Sequence, residues 1–217
     1  MSTQPTANGT TTGTTPTTTP KKKSRTLPKV LSREDVAKIL NHPNIKTKIG
    51  LRNRTILEVL YRCGLRVSEV CNMTIDDVDM EKGFLYIQLG KNKVDRYVPM
   101  EPETVTWIAR WAEQRPTETE LLFPTLQNTA LDQRYVREML YRISEQTGVY
   151  IQDGKTKKKV HPHILRSCYA TEVLEDGLNI AEVQSLLGHS SITTTAIYTK
   201  VRPGALAEKI RQRSANR

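Results

Sequence analysis

The sequence predicts a mostly α-helical domain with a small antiparallel β-sheet, which is an α+β fold. Apolar residues recur at helical spacing along most of the chain, and only the segment between Gly83 and Met100 changes to a run of strand formers. The 217 residues suffice for one core and flanking tails. We expect a folded domain over residues 30–202, a tail before it over residues 1–29, and a C-terminal tail helix within residues 203–217.

The first 29 residues form a tail of unusual composition. Residues 1–20 are almost all Thr, Pro, Gly, Ser, Asn and Gln, which bury too little apolar surface to offset the entropy of ordering. We therefore expect this part to be disordered. The basic arm behind it either lies along phosphates or is a solvated charge run, and it consists of Lys21, Lys22, Lys23 and Arg25.

Start and stop signals define the first three helices of the domain. Ser32 begins the first helix, because residues 32–35 resemble a capping box. A second helix is expected over residues 48–62, and Gly64 behind it suits a left-handed helix terminus. The third helix opens around Arg66, which places this arginine at a helix start.

A β-hairpin and two further helices are expected in the middle of the chain. Residues 84–89 and 96–98 are rich in strand formers, and the turn-like residues 90–93 between them carry a lysine at the tip. Helical spacing returns over residues 102–114 and again over residues 132–147.

The C-terminal third begins with a basic loop over residues 155–159, directly ahead of a helix that starts after Pro162. Asn179 caps the next helix, which ends at Gly188. A short amphipathic helix is expected over residues 205–210. The predicted architecture is therefore largely helical to its end.

Charge and cysteine usage narrow the class of protein. A net charge of +10 and few aromatic residues favour duplex nucleic acid as partner, although charge alone would also suit a ribosomal or membrane-surface protein. The three cysteines, without Cys-x-x-Cys spacing, disfavour a disulfide framework or zinc finger. No apolar run reaches membrane-helix length and no secretory signal is visible, so we expect a cytoplasmic protein.

A compact set of polar residues near the C-terminus indicates phosphate chemistry. His163 and Arg166 stand three apart on one helix, so both side chains leave the same face. A guanidinium binds phosphate through paired hydrogen bonds, and an imidazole can move a proton near neutral pH. The phenol of Tyr198 could then attack a phosphodiester.

Five motifs occur in an order and spacing that resemble the catalytic domain of the tyrosine recombinases, the phage integrase family, with the Xer-type members most similar. The resemblance covers roughly residues 30–202. The motifs are Gly-Leu-Arg66-Val-Ser-Glu69, Gly-Lys91, His163-x-x-Arg166, Leu-Gly-His189 and Ile-Tyr198-Thr.

The resemblance implies a role for each matching residue. Arg66 and Arg166 match the two arginines of the family, Lys91 its hairpin lysine and His163 its histidine. His189 matches the third basic position, Tyr198 the nucleophile and Glu69 the accompanying acid. The reaction implied is cleavage of one DNA strand to a 3′-phosphotyrosine and a free 5′-hydroxyl, without a metal or nucleotide cofactor. Strand exchange in a homotetrameric or heterotetrameric synaptic complex on double-stranded DNA would follow.

The chemistry of the residues agrees with these roles. Fixed cationic donors stabilise charge that develops on nonbridging phosphate oxygens, and nearby cations favour a phenolate. His163 can accept the phenolic proton, and Lys91 on the hairpin tip can protonate the leaving oxygen. Lys93 takes that role if the hairpin register is shifted.

Three other functions compete with this interpretation. A metal site built from His161, His163 and His189 lacks a carboxylate or thiolate partner, and Arg166 would repel a cation. A DNA-binding regulator without cleavage would be expected if the nucleophile or an arginine were missing. A type IB topoisomerase would use the same phosphotyrosine step on any supercoiled DNA.

Two features depart from the family pattern. Position 167 is Ser, where many relatives have a second His. The helical core-binding domain that usually precedes the catalytic domain is not visible, and residues 1–29 cannot replace it. Three expectations stay open: a minimal recombinase, a shortened or engineered form of a longer protein, and a recombinase that needs a helper protein. The resemblance also implies that the C-terminal tail helix packs on a neighbouring protomer, while packing on its own chain stays open.

Overall fold

The computed structural model describes Met1 and residues 30–88, 95–188 and 203–215, with side chains of the last range from residue 207 onward. It confirms a mostly helical fold with small antiparallel sheets. The predicted disorder of the N-terminal tail concerns residues that lie outside the described ranges.

The helices are α1 (Arg33–Asn41), α2 (Lys48–Arg62), α3 (Val67–Asn72), α4 (Pro102–Ala112), α5 (Gln133–Thr147), α6 (Pro162–Glu175), α7 (Ile180–Leu187) and α8 (Pro203–Ala215). The strands are β1 (Val78–Asp79), β2 (Phe84–Ile87), β3 (Arg96–Pro99), β4 (Tyr150–Asp153) and β5 (Thr156–Lys159).

The predicted helix caps are confirmed. The Ser32 hydroxyl accepts a hydrogen bond from a backbone N–H in the first turn of α1, and the Asn179 side chain does the same at the start of α7. Gly64, Gly148 and Gly188 follow α2, α5 and α7 with φ of 60°, 71° and 62°. Left-handed backbone ends each of these helices, as glycine at this position favours.

The sheets are larger than the sequence predicted. Strands β1, β2 and β3 form a three-stranded antiparallel sheet in that order, and β4 pairs with β5 in a second, two-stranded sheet. The prediction of a loop over residues 155–159 is therefore wrong, because residues 156–159 are a strand. The strand was missed because lysine is uncommon in strands. It pairs with the strand formers Tyr150 and Ile151 across the turn at Gly154.

The core is centred on α2, which packs against α4 and α6. A smaller apolar cluster joins α6 and α7 to Ile210 of α8, and Ile210 is completely buried. Helix α8 is longer than predicted and packs on its own chain in this structure. In the described part of the chain, no helix has both the length and the apolar character that crossing a membrane requires.

Candidate active site

A largely buried carboxylate, Glu69, stands at the centre of the candidate site. It occupies the first turn of α3, where its Oε2 accepts the backbone N–H of Arg66 at 2.7 Å. A carboxylate at this position satisfies an N–H that the helix leaves unpaired. Its Oε1 accepts a second bond from Nη1 of Arg66 at 2.9 Å. The predicted arginine therefore lies at a helix start, held by the acid three residues later.

Arg96, at the first position of β3, binds the same carboxylate with two hydrogen bonds. Nη1 donates to Oε1 of Glu69 at 3.0 Å and Nη2 donates to Oε2 at 2.8 Å. Only 8% of the Arg96 side chain is exposed. The sequence pattern identified this residue only as part of a strand, and its place in the site was missed. A signal was present, because alternation places Arg96 on the same inward face as Val98.

Arg166 lies on α6 and points into the protein. Nη1 donates to the carbonyl of Gly64 at 2.6 Å, Nη2 donates to the carbonyl of Leu187 at 2.5 Å, and Nη1 stands 3.9 Å from Glu69 Oε2. Burial, together with the neighbouring Arg66, lowers the pKa of Arg166 to about 10. The group is therefore still a cation at neutral pH. A guanidinium has five donors, so two such bonds position it and leave donors for an anion.

The C-terminal end of α7 brings the three arginines together. Its carbonyls at Leu186, Leu187 and Gly188 accept hydrogen bonds from Arg96, Arg166 and Arg66 respectively. The last carbonyls of a helix lack helical partners and carry its negative dipole end, so cations are favoured here. The predicted site residue His189 follows directly in sequence but lies outside the described residues, as do Lys91, Lys93 and Tyr198.

His163 lies on α6 one turn before Arg166 and is exposed. Its ring stacks on that of His161, with centroids 6.4 Å apart and planes 3° from parallel. Burial lowers the pKa of His161, and the nearby charges of His163 and Lys158 lower it further, so its neutral form is favoured. The departure at Ser167 is accommodated locally, since its hydroxyl donates to the His163 carbonyl at 3.0 Å.

The rival metal site is not represented among the described side chains. Within residues 30–88, 95–188 and 207–215, no group of three or more His, Cys, Asp or Glu is arranged to hold a metal ion. The third histidine of that hypothesis, His189, lies outside these ranges.

The assembled side chains carry an excess of positive charge. The cations Arg66, Arg96 and Arg166 surround a single carboxylate, that of Glu69. Although burial opposes ionisation of this acid, hydrogen bonds and charge from Arg96 and Arg66 lower its pKa, so it is an anion at neutral pH. The remaining positive charge and free guanidinium donors favour a bound oxyanion such as a phosphodiester.

Residues 29–204 match the phage integrase family. The chain belongs to this family. The chain is similar to a tyrosine recombinase XerD of Pseudomonas putida, 37% identical over 190 residues, which cover 85% of this chain and 61% of the relative. A tyrosine recombinase XerA of Thermococcus kodakarensis is 38% identical over 180 residues, covering 82% of this chain and 60% of the relative. The chain thus spans about three fifths of the length of these curated relatives.

Solved structures of recombinases have a similar fold. A XerA recombinase superposes with a TM-score of 0.66 at 31% identity, covering 84% of this chain and 64% of that one. A XerH site-specific recombinase bound to its difH substrate superposes with a TM-score of 0.63 at 28% identity, covering 83% of this chain and 53% of that one. These matches confirm the predicted family and fold class.

Proposed function

We propose that this protein is a site-specific DNA recombinase that cleaves and rejoins strands through a 3′-phosphotyrosine intermediate. The observation that carries the proposal is the convergence of Arg66 and Arg166 on Glu69 and on the last carbonyls of α7. Such a site holds an oxyanion between fixed cations. Membership of the phage integrase family and the similarity to XerH in complex with its difH substrate support DNA as the partner.

The proposed reaction exchanges one ester bond for another. Arg66, Arg166 and His189 hold the nonbridging oxygens of the phosphodiester, and the phenolic oxygen of Tyr198 attacks phosphorus. His163 takes the phenolic proton. The bond from phosphorus to the 5′-oxygen breaks, and Lys91 supplies the proton for that leaving oxygen. Attack by a second 5′-hydroxyl reverses the steps and releases Tyr198, so no metal or nucleotide is consumed.

Assembly belongs to the same proposal. Strand exchange between two DNA sites requires four active sites, so we expect a homotetrameric or heterotetrameric synaptic complex, with an accessory protein where the chain alone does not close around DNA. Helix α8 packs on its own chain here, through Lys209 to Glu182 at 2.8 Å and through the buried Arg213. Exchange of α8 between protomers would replace these contacts with equivalent ones across an interface.

The experiment that tests the proposal is trapping of the covalent intermediate. The full chain is incubated with nicked duplexes that tile the DNA flanking its gene, in which the cleaved fragment diffuses away and prevents religation. We expect a denaturation-resistant protein–DNA adduct with wild type and none with Tyr198→Phe, which loses only the hydroxyl and still binds DNA.

Each alternative predicts a different result in the same assays. A DNA-binding regulator would shift the duplexes in a gel without forming an adduct on any of them. A topoisomerase of type IB would relax supercoiled plasmids that carry none of the flanking sequence, whereas a recombinase requires its paired sites. Adduct formation by Tyr198→Phe at the wild-type level would refute the proposed nucleophile.

A further inference from the structure

The hairpin formed by β4 and β5 carries a concentrated positive charge. Between Tyr150 and Val160 the sequence contains four lysines and one aspartate, and every residue of β5 is exposed. Because side chains alternate along a strand, Lys157 and Lys159 share one face of the ribbon and Lys158 occupies the other. The face that carries Lys157 and Lys159 is therefore the more basic of the two.

The base of the hairpin is firmly attached to α5. The Ser144 hydroxyl, which is completely buried, donates to the Val149 carbonyl and accepts the Val160 backbone N–H at 3.1 Å. Val149, Ile151 and Val160 are buried beside it. Lys159 also stands 2.5 Å from Glu145 of α5. The ribbon is thus a positioned element of the domain.

The hairpin also lies next to the candidate active site. Val160 and His161 alone separate β5 from α6, the helix that carries His163 and Arg166. Burial lowers the pKa of His161, the charges of His163 and Lys158 lower it further, and its ring stacks on that of His163. The lysines therefore lie close to the two histidines at the start of α6.

Grouping like charges in this way is electrostatically unfavourable, and a bound polyanion relieves the repulsion. Lys159 is compensated by Glu145 and lies over the Tyr141 ring at 5.9 Å. Lys155, Lys157 and Lys158 are also exposed along the ribbon. Lysine binds phosphate as a flexible point charge, without reading bases, which suits contacts to a DNA backbone.

We propose that the β4–β5 hairpin lies along duplex DNA and that Lys155, Lys157 and Lys158 contact backbone phosphates next to the cleaved bond. This inference rests on the proposed function for its partner and adds a surface that fixes the DNA relative to α6. The contacts are electrostatic and independent of sequence, so they contribute to binding of any duplex.

The test removes the three charges together in the variant Lys155→Gln, Lys157→Gln, Lys158→Gln. Binding of the full chain to a fluorescein-labelled duplex of mixed sequence is followed by anisotropy over a series of salt concentrations. The slope of log K against log salt is negative, and each lost phosphate contact lowers its magnitude by about 0.9, so we expect the magnitude to fall by about 2 to 3. Affinity at low salt falls in parallel.

The matched control removes the same charge elsewhere, in the variant Lys38→Gln, Lys82→Gln, Arg110→Gln. These side chains are also exposed and lie on α1, on the turn before β2 and on α4. We expect the wild-type salt slope from this control. Because all six positions are exposed, we expect both variants to fold. Thermal unfolding checks this.

The outcomes separate this inference from the proposed function. A wild-type slope in the hairpin variant, or an equal loss of slope in the control, overturns the hairpin contact even if wild type forms the covalent adduct. If the slope falls only in the hairpin variant while wild type forms no adduct, the hairpin inference stands and the cleavage proposal fails.

Discussion

Arg96 and Glu69 form a bidentate ion pair, in which Nη1 donates to Oε1 at 3.0 Å and Nη2 donates to Oε2 at 2.8 Å. The remaining Arg96 nitrogen, Nε, donates to the Leu186 carbonyl at 2.8 Å. One side chain thus connects β3, α3 and the end of α7. Because Glu69 also holds Arg66, Arg96 is a positioning residue for the phosphate-binding arginines.

The first prediction concerns this pair. Arg96→Gln leaves the Glu69 carboxylate with weaker compensation in a site where its side chain is 7% exposed. Breaking a buried ion pair from one side costs about 3 to 5 kcal/mol, so chemical denaturation should show a large loss of the free energy of unfolding. Glu69→Gln should also lower the free energy of unfolding. The loss in the double variant should be smaller than the sum of the losses in the two single variants.

If Arg96 had only a structural role, its substitution would change the free energy of unfolding but not the rate of adduct formation. We therefore expect Arg96→Lys, assayed below its unfolding temperature, to bind duplex DNA normally but to form the covalent adduct more slowly, since lysine cannot reproduce a two-pronged pair. Strict additivity of the two Gln variants, or a wild-type adduct rate for Arg96→Lys, would contradict the positioning role.

The second prediction concerns Gly188, whose φ is 62°. A Cβ at this position would stand 2.9 Å from Nη1 of Arg96 and 3.1 Å from its Cζ. Gly188→Ala should therefore disturb the ion pair, in addition to the cost of about 1 kcal/mol for left-handed backbone. Gly148→Ala is the matched control, because Gly148 has φ of 71° and no atom within 4 Å of the new Cβ. Only the Gly188 variant should slow adduct formation.

The third prediction is a pH dependence of stability. The pKa of Glu69 in the folded protein lies below its ordinary value of 4.5, so the ionised acid stabilises the fold. This contribution is complete above the unfolded pKa and is lost as the pH falls through the lower folded pKa. The difference in unfolding free energy between wild type and Glu69→Gln should therefore shrink as the pH is lowered from about 6 to about 3 in urea titrations. A constant difference over this range would show that Glu69 is not the group responsible.

The fourth prediction concerns Arg66, which is the most accessible of the three arginines, with 39% of its side chain exposed. Arg66→Ala removes one donor to the phosphate, and such a donor is worth about 3 kcal/mol in the transition state, or roughly 100-fold in rate. Single-turnover adduct formation should fall by about this factor while thermal unfolding changes little. A rate within a few-fold of wild type would exclude Arg66 from the phosphate site.

Local signals allowed much of the fold and part of the site to be predicted. Cap residues and helical spacing located the helices, so Arg66 was correctly placed at a helix start beside Glu69. These features depend on neighbours within four residues and can therefore be recognised in the sequence. Arg166 was predicted on the helix that carries it, but its burial against the Gly64 and Leu187 carbonyls was not.

The parts that were missed depend on contacts between distant segments. Arg96 was not recognised, because its partners Glu69 and Leu186 are 27 and 90 residues away. The β4–β5 hairpin was overlooked, since a lysine-rich strand contradicts the usual composition of strands and is held by the Ser144 contact at its base. Tertiary hydrogen bonds of this kind leave no periodic trace in the sequence.

The last prediction concerns the attachment of α8 to the domain. Arg213 is 5% exposed and binds three acids, Glu101 at 3.0 Å, Glu172 at 2.7 Å and Asp176 at 2.5 Å. Arg213→Met keeps an unbranched apolar stem but leaves these carboxylates without their shared cation. We expect a loss of about 3 kcal/mol or more in the free energy of unfolding, and faster proteolysis of the C-terminal helix.

Arg211→Met is the matched control on the same helix, because Arg211 is exposed and makes one long hydrogen bond of 3.4 Å to the Lys82 carbonyl. Its effect should stay within about 0.5 kcal/mol. If α8 exchanges between protomers, Arg213→Met should also weaken the assembly on paired DNA sites, measured by analytical ultracentrifugation, because the same acids would receive the helix of a neighbour. Equal stability of the two variants would show that the buried cluster around Arg213 does not hold the helix.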